Sequence, residues 1–171
     1  MENTIMIRTL VAIDLVNLNN MVYAHKKRSD FIALREYITA GLEQPSDIYV
    51  YMSVEESTYP QGFVDFLHAN GFYVVEKWAK VTEDGLDKTN VDIELALDAY
   101  DLCSTIKPCA FVLVSGDNDF AGLCRRLRRK GIYVTVASVR EALGRNLRAS
   151  CNRWLDLYPW ICRLQDNRVE G

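Results

Sequence analysis

Phe111-Val112-Leu113-Val114-Ser115-Gly116-Asp117-Asn118-Asp119-Phe120 is the stretch from which the fold can be read. A continuous Phe-Val-Leu-Val run suits a parallel strand covered on both faces, whereas a strand half open to water would alternate. Beyond Gly116 the period changes, because Phe120, Leu123, Cys124 and Leu127 recur at helical spacing. Asp117 and Asp119 therefore fall in a tight strand-to-helix turn at the carboxyl edge of a sheet, where open α/β folds bind ligands. Two carboxylates there are acceptors only and repel one another, and a cation between them would relieve the repulsion. Helix capping competes with this reading, since Asp suits both the N-cap position and the positive end of the dipole, but one aspartate would be enough for it.

Working outward from that turn, Ile5 to Ile13 reads as a first strand ending on Asp14, with Asn17, Asn19 and Asn20 as turn and cap residues behind it. Helical spacing resumes at Phe31, Leu34, Tyr37, Ile38 and Leu42, and Gly41 with Pro45 supplies the stop. Strands are expected at Asp47 to Met52, Phe72 to Val75, Ala110 to Ser115 and Ile132 to Val136. Helices are expected at Tyr59 to Ala69 and Val91 to Ile106, and a last one from about Arg140 to Leu155. Glu76 to Asn90 lacks periodicity and reads as a long loop of the kind that is often functional. In the helix from Val91 the apolar arc of Val91, Leu95, Ala99, Leu102 and Ile106 takes in Asp92, a carboxylate that is costly to bury unless paired or bound to a cation. Strands alternating with helices predict an α/β fold, a three-layer α/β/α sandwich around a central parallel sheet.

The composition sets limits on function. A chain of 171 residues that is 49% hydrophobic suits one globular domain, taken as residues 1–158 with a tail at 159–171. Arg8 and Asp14 interrupt the first apolar segment, so a soluble, cytoplasmic protein without a secretory leader or membrane span is expected. Five cysteines without a C-x-x-C pair point to reduced thiols, and two histidines remote from them give no support to a zinc site. Acid–base or metal chemistry has to run on carboxylates. The net charge of −3 hides a basic final third, where nine Lys and Arg from Arg125 to Arg153 face the single acid Glu141. Arg125 to Lys130 end a helix, where cations suit the dipole, and read better as a solvated face.

In their order and spacing, Asp14-x-x-Asn17, Val91-Asp92-Ile93 and Ser115-Gly116-Asp117-Asn118-Asp119-Phe120 resemble the NYN domains, the branch of the PIN-like nucleases that includes the LabA-like proteins. The similarity runs from about Thr9 to Leu157. It implies a PIN-like parallel sheet in the order 3-2-1-4-5 and metal-dependent cleavage of RNA by clustered acids. Asp14 matches the first acid, Asn17 the asparagine three positions on, Asp92 the helix acid, and Asp117 and Asp119 the paired acids; Ser115 matches a supporting hydroxyl. Departures are Leu15 in place of a common glycine, Lys88 one residue farther from Asp92 than in Lys-x-x-Asp, and Gly144 and Asn152 where Ser and Asp are frequent.

Oxygen ligands near a phosphodiester suit Mg²⁺ or Mn²⁺. Asp14 and Asp117 are the expected metal ligands, with Asp92 and Asp119 as direct or water-mediated support and Asn17 orienting substrate or water. Phosphates of a single-stranded RNA substrate are expected to meet Lys88, Arg140, Arg145 and Arg148, with Lys77 and Lys80 in the loop above. Two rivals stand beside this reading: a noncatalytic RNA-binding or regulatory module, and phosphoryl transfer through one aspartate. Homo-oligomerisation is left open.

Overall fold

Leu10 and Ala12 leave β1 (Thr9–Asp14) on one side, Val11 and Ile13 on the other, and all four are buried. A strand covered on both faces must lie inside a sheet. In the computed structural model, which describes residues 8–42, 46–79, 81–82, 85–86 and 91–167, β1 is indeed central. It pairs in parallel with β2 (Ser46–Val54) and with β6 (Ala110–Val114). Outside these lie β3 (Phe72–Trp78) against β2, and β7 (Tyr133–Ser138) against β6. A further strand, β8 (Arg153–Asp156), closes the six-stranded parallel sheet in the order β3-β2-β1-β6-β7-β8.

Two layers of helix cover the sheet. One face packs α1 (Leu15–Ala24), α2 (Phe31–Thr39), α3 (Gln61–Ala69) and α7 (Tyr158–Ile161) through Leu18, Met21, Leu34, Ile38, Leu67 and Ile161. The other packs α4 (Val91–Ile106), α5 (Ala121–Arg129) and α6 (Arg145–Ser150) through Leu95, Ala99, Leu123, Leu127 and Leu147. The apolar run of β6 serves both layers, with Val112 and Val114 on the first side and Phe111 and Leu113 on the second. The α/β/α sandwich and the order 3-2-1-4-5 are those expected, with one strand added at the end.

Several local expectations are corrected. Asn17, Asn19 and Asn20 do not form a turn; they lie within α1, whose Leu18, Met21 and Val22 are buried at helical spacing. Asp14 caps that helix by accepting from Asn17 N at 3.1 Å, so the polar asparagines are carried on a helix that tertiary packing holds. The stretch from Glu76 is not all loop. β3 runs on to Trp78, paired with Val54, and β4 (Val81–Thr82) and β5 (Gly85–Leu86) form a small antiparallel pair. Lys80 and Lys88 lie outside the described residues.

The long last helix breaks into α6 and β8. Asn152 supports the break: its Oδ1 accepts from Val134 N at 2.8 Å and its own N donates to Val134 O, which starts β8 beside β7. Pro159 lies in the first turn of α7, as fits a residue whose missing N–H costs nothing there. Trp160, Ile161 and Leu164 pack into the core behind it. No helix among the described residues is long and apolar enough to cross a membrane.

Candidate active site at the carboxyl edge of the sheet

Adjacent parallel strands deliver their ends to the same edge, and β1 and β6 deliver Asp14 and Ser115 together. The Ser115 hydroxyl, fully buried, donates to Asp14 Oδ2 at 3.1 Å and accepts from Asp117 N at 3.2 Å. Gly116 N donates to Asn17 Oδ1 at 2.9 Å, which ties the first turn of α1 to the turn after β6. Asp117 Oδ1 in turn accepts from Asp119 N at 2.9 Å, capping the 3-10 turn Asn118–Phe120. Residues a hundred apart in sequence are thus held by a short chain of hydrogen bonds.

Asp92, half-buried in the first turn of α4, completes the group. Burial is the main cause that raises its carboxyl above the usual range, and the negative charges of Asp117 and Asp119 raise it further. Asp14 is also raised. Burial leads, the charges of Asp92 and Asp117 add to it, and the hydrogen bonds from Asn17 and Ser115 oppose it. The ion pairs formed among the described residues, Arg8–Asp47, Lys27–Asp166 and Lys77–Glu94, include none of these four aspartates. Among the described residues, therefore, no ion pair relieves their repulsion.

The capping reading holds at Asp14 and Asp117, and capping leaves acceptor capacity on each. Each uses one oxygen on a backbone N–H, and an ionised carboxylate has about four lone-pair sites. Among the described residues no three His, Cys, Asp or Glu side chains stand close enough together to hold one metal ion. A cage is not what Mg²⁺ requires, because it keeps much of its water and binds through one or two carboxylates. The hard oxygen donors and unrelieved negative charge fit such an ion. Asn17 has its Oδ1 committed to Gly116, and its Nδ2 makes no hydrogen bond among the described residues.

Close packing explains two glycines here. A Cβ on Gly116 would meet the backbone oxygen of Ala142 at 2.1 Å, and one on Gly144 would meet Asn118 Oδ1 at 2.1 Å. Asn118 was not singled out by sequence, yet its side chain accepts from Asn146 N at 3.0 Å and Leu147 N at 3.2 Å. It caps α6 from a different element, in the space that a side chain at position 144 would take. The signal available was a helix whose own N-cap residue, Gly144, has no oxygen to offer.

Of the basic residues, Arg140 is exposed on the segment joining β7 to α6 and Arg145 at the first residue of α6, at the acid edge. Arg148 is exposed one turn further along α6. Lys77 is engaged with Glu94 at 2.9 Å. Leu15 is buried against the core, which accounts for a side chain at that position. Asn152 is spent on the β7–β8 pairing and does not join the acids.

A protein-family model of the NYN domain matches residues 8–158. The chain belongs to the NYN domain family. Low amplitude and bright protein LabA of Synechococcus elongatus is 30% identical over 149 residues, which cover 81% of this chain and 79% of LabA. A crystal structure of a Vibrio parahaemolyticus protein of unknown function has the same fold, with a TM-score of 0.74 at 23% identity over 92% of this chain and 96% of that one. The NYN domain is nuclease-like and PIN-like, and its match here spans every one of the four aspartates.

Proposed function

We propose that this NYN domain is a metal-dependent ribonuclease that hydrolyses phosphodiester bonds of single-stranded RNA. The observation that carries the reading is the convergence of Asp14, Asp92, Asp117 and Asp119 on one sheet edge, with Ser115 bridging the first and third and no ion pair among the described residues that includes any of them. Asp14 and Asp117 would hold Mg²⁺ or Mn²⁺, with Asp92 and Asp119 directly or through water. Such an ion, when bound, supplies an acidified water and offsets charge on the leaving oxygen.

The chain's own residues have separate tasks. Ser115 holds the Asp14 carboxylate and the Asp117 backbone in fixed relation. Asn17 offers its free Nδ2 to a phosphate oxygen or a water. Arg140, Arg145 and Arg148 attract the RNA backbone, and Lys88 joins them in this reading. The free thiols suit a reducing, cytoplasmic setting.

A labelled single-stranded RNA incubated with Mg²⁺ or Mn²⁺, with EDTA, and with the Asp117→Asn variant tests the proposal. Cleavage that needs the metal and is lost in the variant supports it. One observation favours the noncatalytic alternative: both oxygens of Asp14 already accept hydrogen bonds. RNA binding without cleavage under any divalent metal would establish that reading instead.

A further inference from the structure

Side by side on one face of the sheet, α4 and α5 carry opposite charge. α4 holds Asp92, Glu94, Asp98 and Asp101 with no Lys or Arg, and α5 holds Arg125, Arg126, Arg128 and Arg129 with no acid. Such neighbours can neutralise each other within one chain, but among the described residues no ion pair joins them. Where they meet, Lys130 sits over the Tyr100 ring, 4.8 Å from its centre. Several of the charges are spent on other elements: Glu94 pairs with Lys77, Asp98 accepts from the Tyr51 hydroxyl at 2.7 Å, and Arg125 donates to Ser150 Oγ at 2.8 Å. Asp101 and Arg129 remain exposed, and neither enters an ion pair among the described residues.

The outer side of α4 is also apolar. Val91, Leu95, Ala99 and Cys103 are buried, and at 100° per residue Leu97 lies opposite the middle of that arc, with Ile93 one turn before it. Leu97 is 64% exposed and Ile93 57%. One exposed leucine is ordinary, but an apolar pair bordered by charge is the make-up of a small interface, apolar in the middle and polar at its rim. On α5 the matching outer positions are Gly122, Arg126 and Arg129. A Cβ at Gly122 would approach only the movable Arg126 guanidinium, at 3.1 Å, so a shallow place is left there for an apolar side chain from outside.

The two helices are also in step. α4 leads into β6 and α5 leaves it, so both run against that strand and start at the carboxyl edge. At ~1.5 Å per residue Leu97 lies ~9 Å along α4 and Arg126 ~8 Å along α5, and Asp101 lies ~15 Å along α4 and Arg129 ~12 Å along α5. We infer that this face binds a second copy of the chain, in an isologous dimer whose twofold axis runs between the two helices and along them. Each α4 then lies on its partner's α5 at the same height. Ile93 packs beside Gly122 of the partner subunit, Leu97 lies along the stem of the partner subunit's Arg126, and Asp101 reaches the partner's Arg129, each contact being made twice. The face is ~24 Å long and about two helix widths across, on the order of 500 Å² per copy in projection. That is the low end for a specific interface, so the dimer is micromolar and weakens with salt. The inference does not depend on the nuclease reading and stands if the chain cleaves no RNA.

Sedimentation equilibrium of the full chain, in EDTA and free of nucleic acid, tests it from about 1 to about 500 µM at low and at high salt. Expected is a monomer–dimer equilibrium that shifts toward monomer as salt rises. Leu97→Asp should weaken it about tenfold or more. Asp101→Arg and Arg129→Asp should each weaken it about tenfold, because each sets two like-charged pairs across the axis. Mixing these two variants should restore an affinity close to that of the parent, since every pair across the axis is then of opposite sign. All three positions are exposed, and Tm values near that of the parent verify that the variants fold. A chain that stays monomeric at low salt overturns the inference. So does a dimer unmoved by Leu97→Asp and by both swaps, or a mixture no stronger than its components. Association that appears only when RNA is added overturns it too, by making RNA the occupant of this face.

Discussion

Asp117 can be neutralised without removing its cap, because Asn is as good an N-cap as Asp. Asp117→Asn is therefore expected to abolish metal-dependent cleavage while leaving the metal-free Tm unchanged or slightly raised, since one repelling charge is gone. A large drop in Tm would mean that the carboxylate is structural. Asp14 gives a pH-dependent version of the same experiment. Its carboxyl is raised in the folded state, so between the ordinary value and the raised one the folded chain binds more protons, and stability falls as pH increases. In EDTA, the stability of Asp14→Asn relative to the parent should grow as pH rises from about 4 and then level off. Ser115→Ala acts differently. It removes the hydroxyl donor from the buried Asp14 carboxylate and the acceptor from Asp117 N–H, and should cost about 1–3 kcal/mol in urea unfolding. These acids and Ser115 were legible in sequence because they sit at strand ends. Asn118 was not, because its partner helix lies 28 positions away.

Elements meet at Gly116 and Gly144, and the two contacts differ in what can yield. The Asn118 side chain can rotate away from a Cβ at position 144, so Gly144→Ala should cost roughly the α6 cap, about 1 kcal/mol. The Ala142 carbonyl cannot move without its backbone, and Gly116→Ala should cost about 3 kcal/mol or more. Equal losses in thermal melts would contradict this account. The same packing puts the start of α6 beside the acid turn and the end of α5 at the far edge, where Arg129 lies near Tyr133 at the start of β7. Charge removal at Arg148 is expected to weaken RNA binding and flatten its salt dependence more than the same change at Arg129. Sequence periodicity recovered α4 to the residue and missed α1, whose asparagines look like a turn until Leu18, Met21 and Val22 are seen to be buried. It read β8 as helix because a four-residue strand carries too little alternation to outweigh a neighbouring helix.

On the scale of the whole molecule, two buried thiols report on the core. Burial pushes Cys103 and Cys124 up to about 12, above an ordinary value near 9. Their contribution to stability is complete below pH 9 and is lost as the pH rises toward 12, because the unfolded chain releases those protons first. Alkaline unfolding should therefore soften in Cys103→Ala/Cys124→Ser relative to its own neutral-pH stability. In the native state, alkylation followed by mass spectrometry should modify the exposed Cys109 and Cys162 and spare Cys103, Cys124 and Cys151. The central position of β1 has a further consequence, for synthesis. Its partner β6 and the serine that grips Asp14 are made 101 residues later, about 5–20 s at ribosomal speed. Through that interval the first strand has only β2 beside it, and the cell holds a nascent chain in which Asp117 and Asp119 are still to come. The four-acid edge is therefore complete only when almost the whole domain has left the ribosome, and if it cleaves RNA as proposed, the message from which the chain is being read is out of its reach until then.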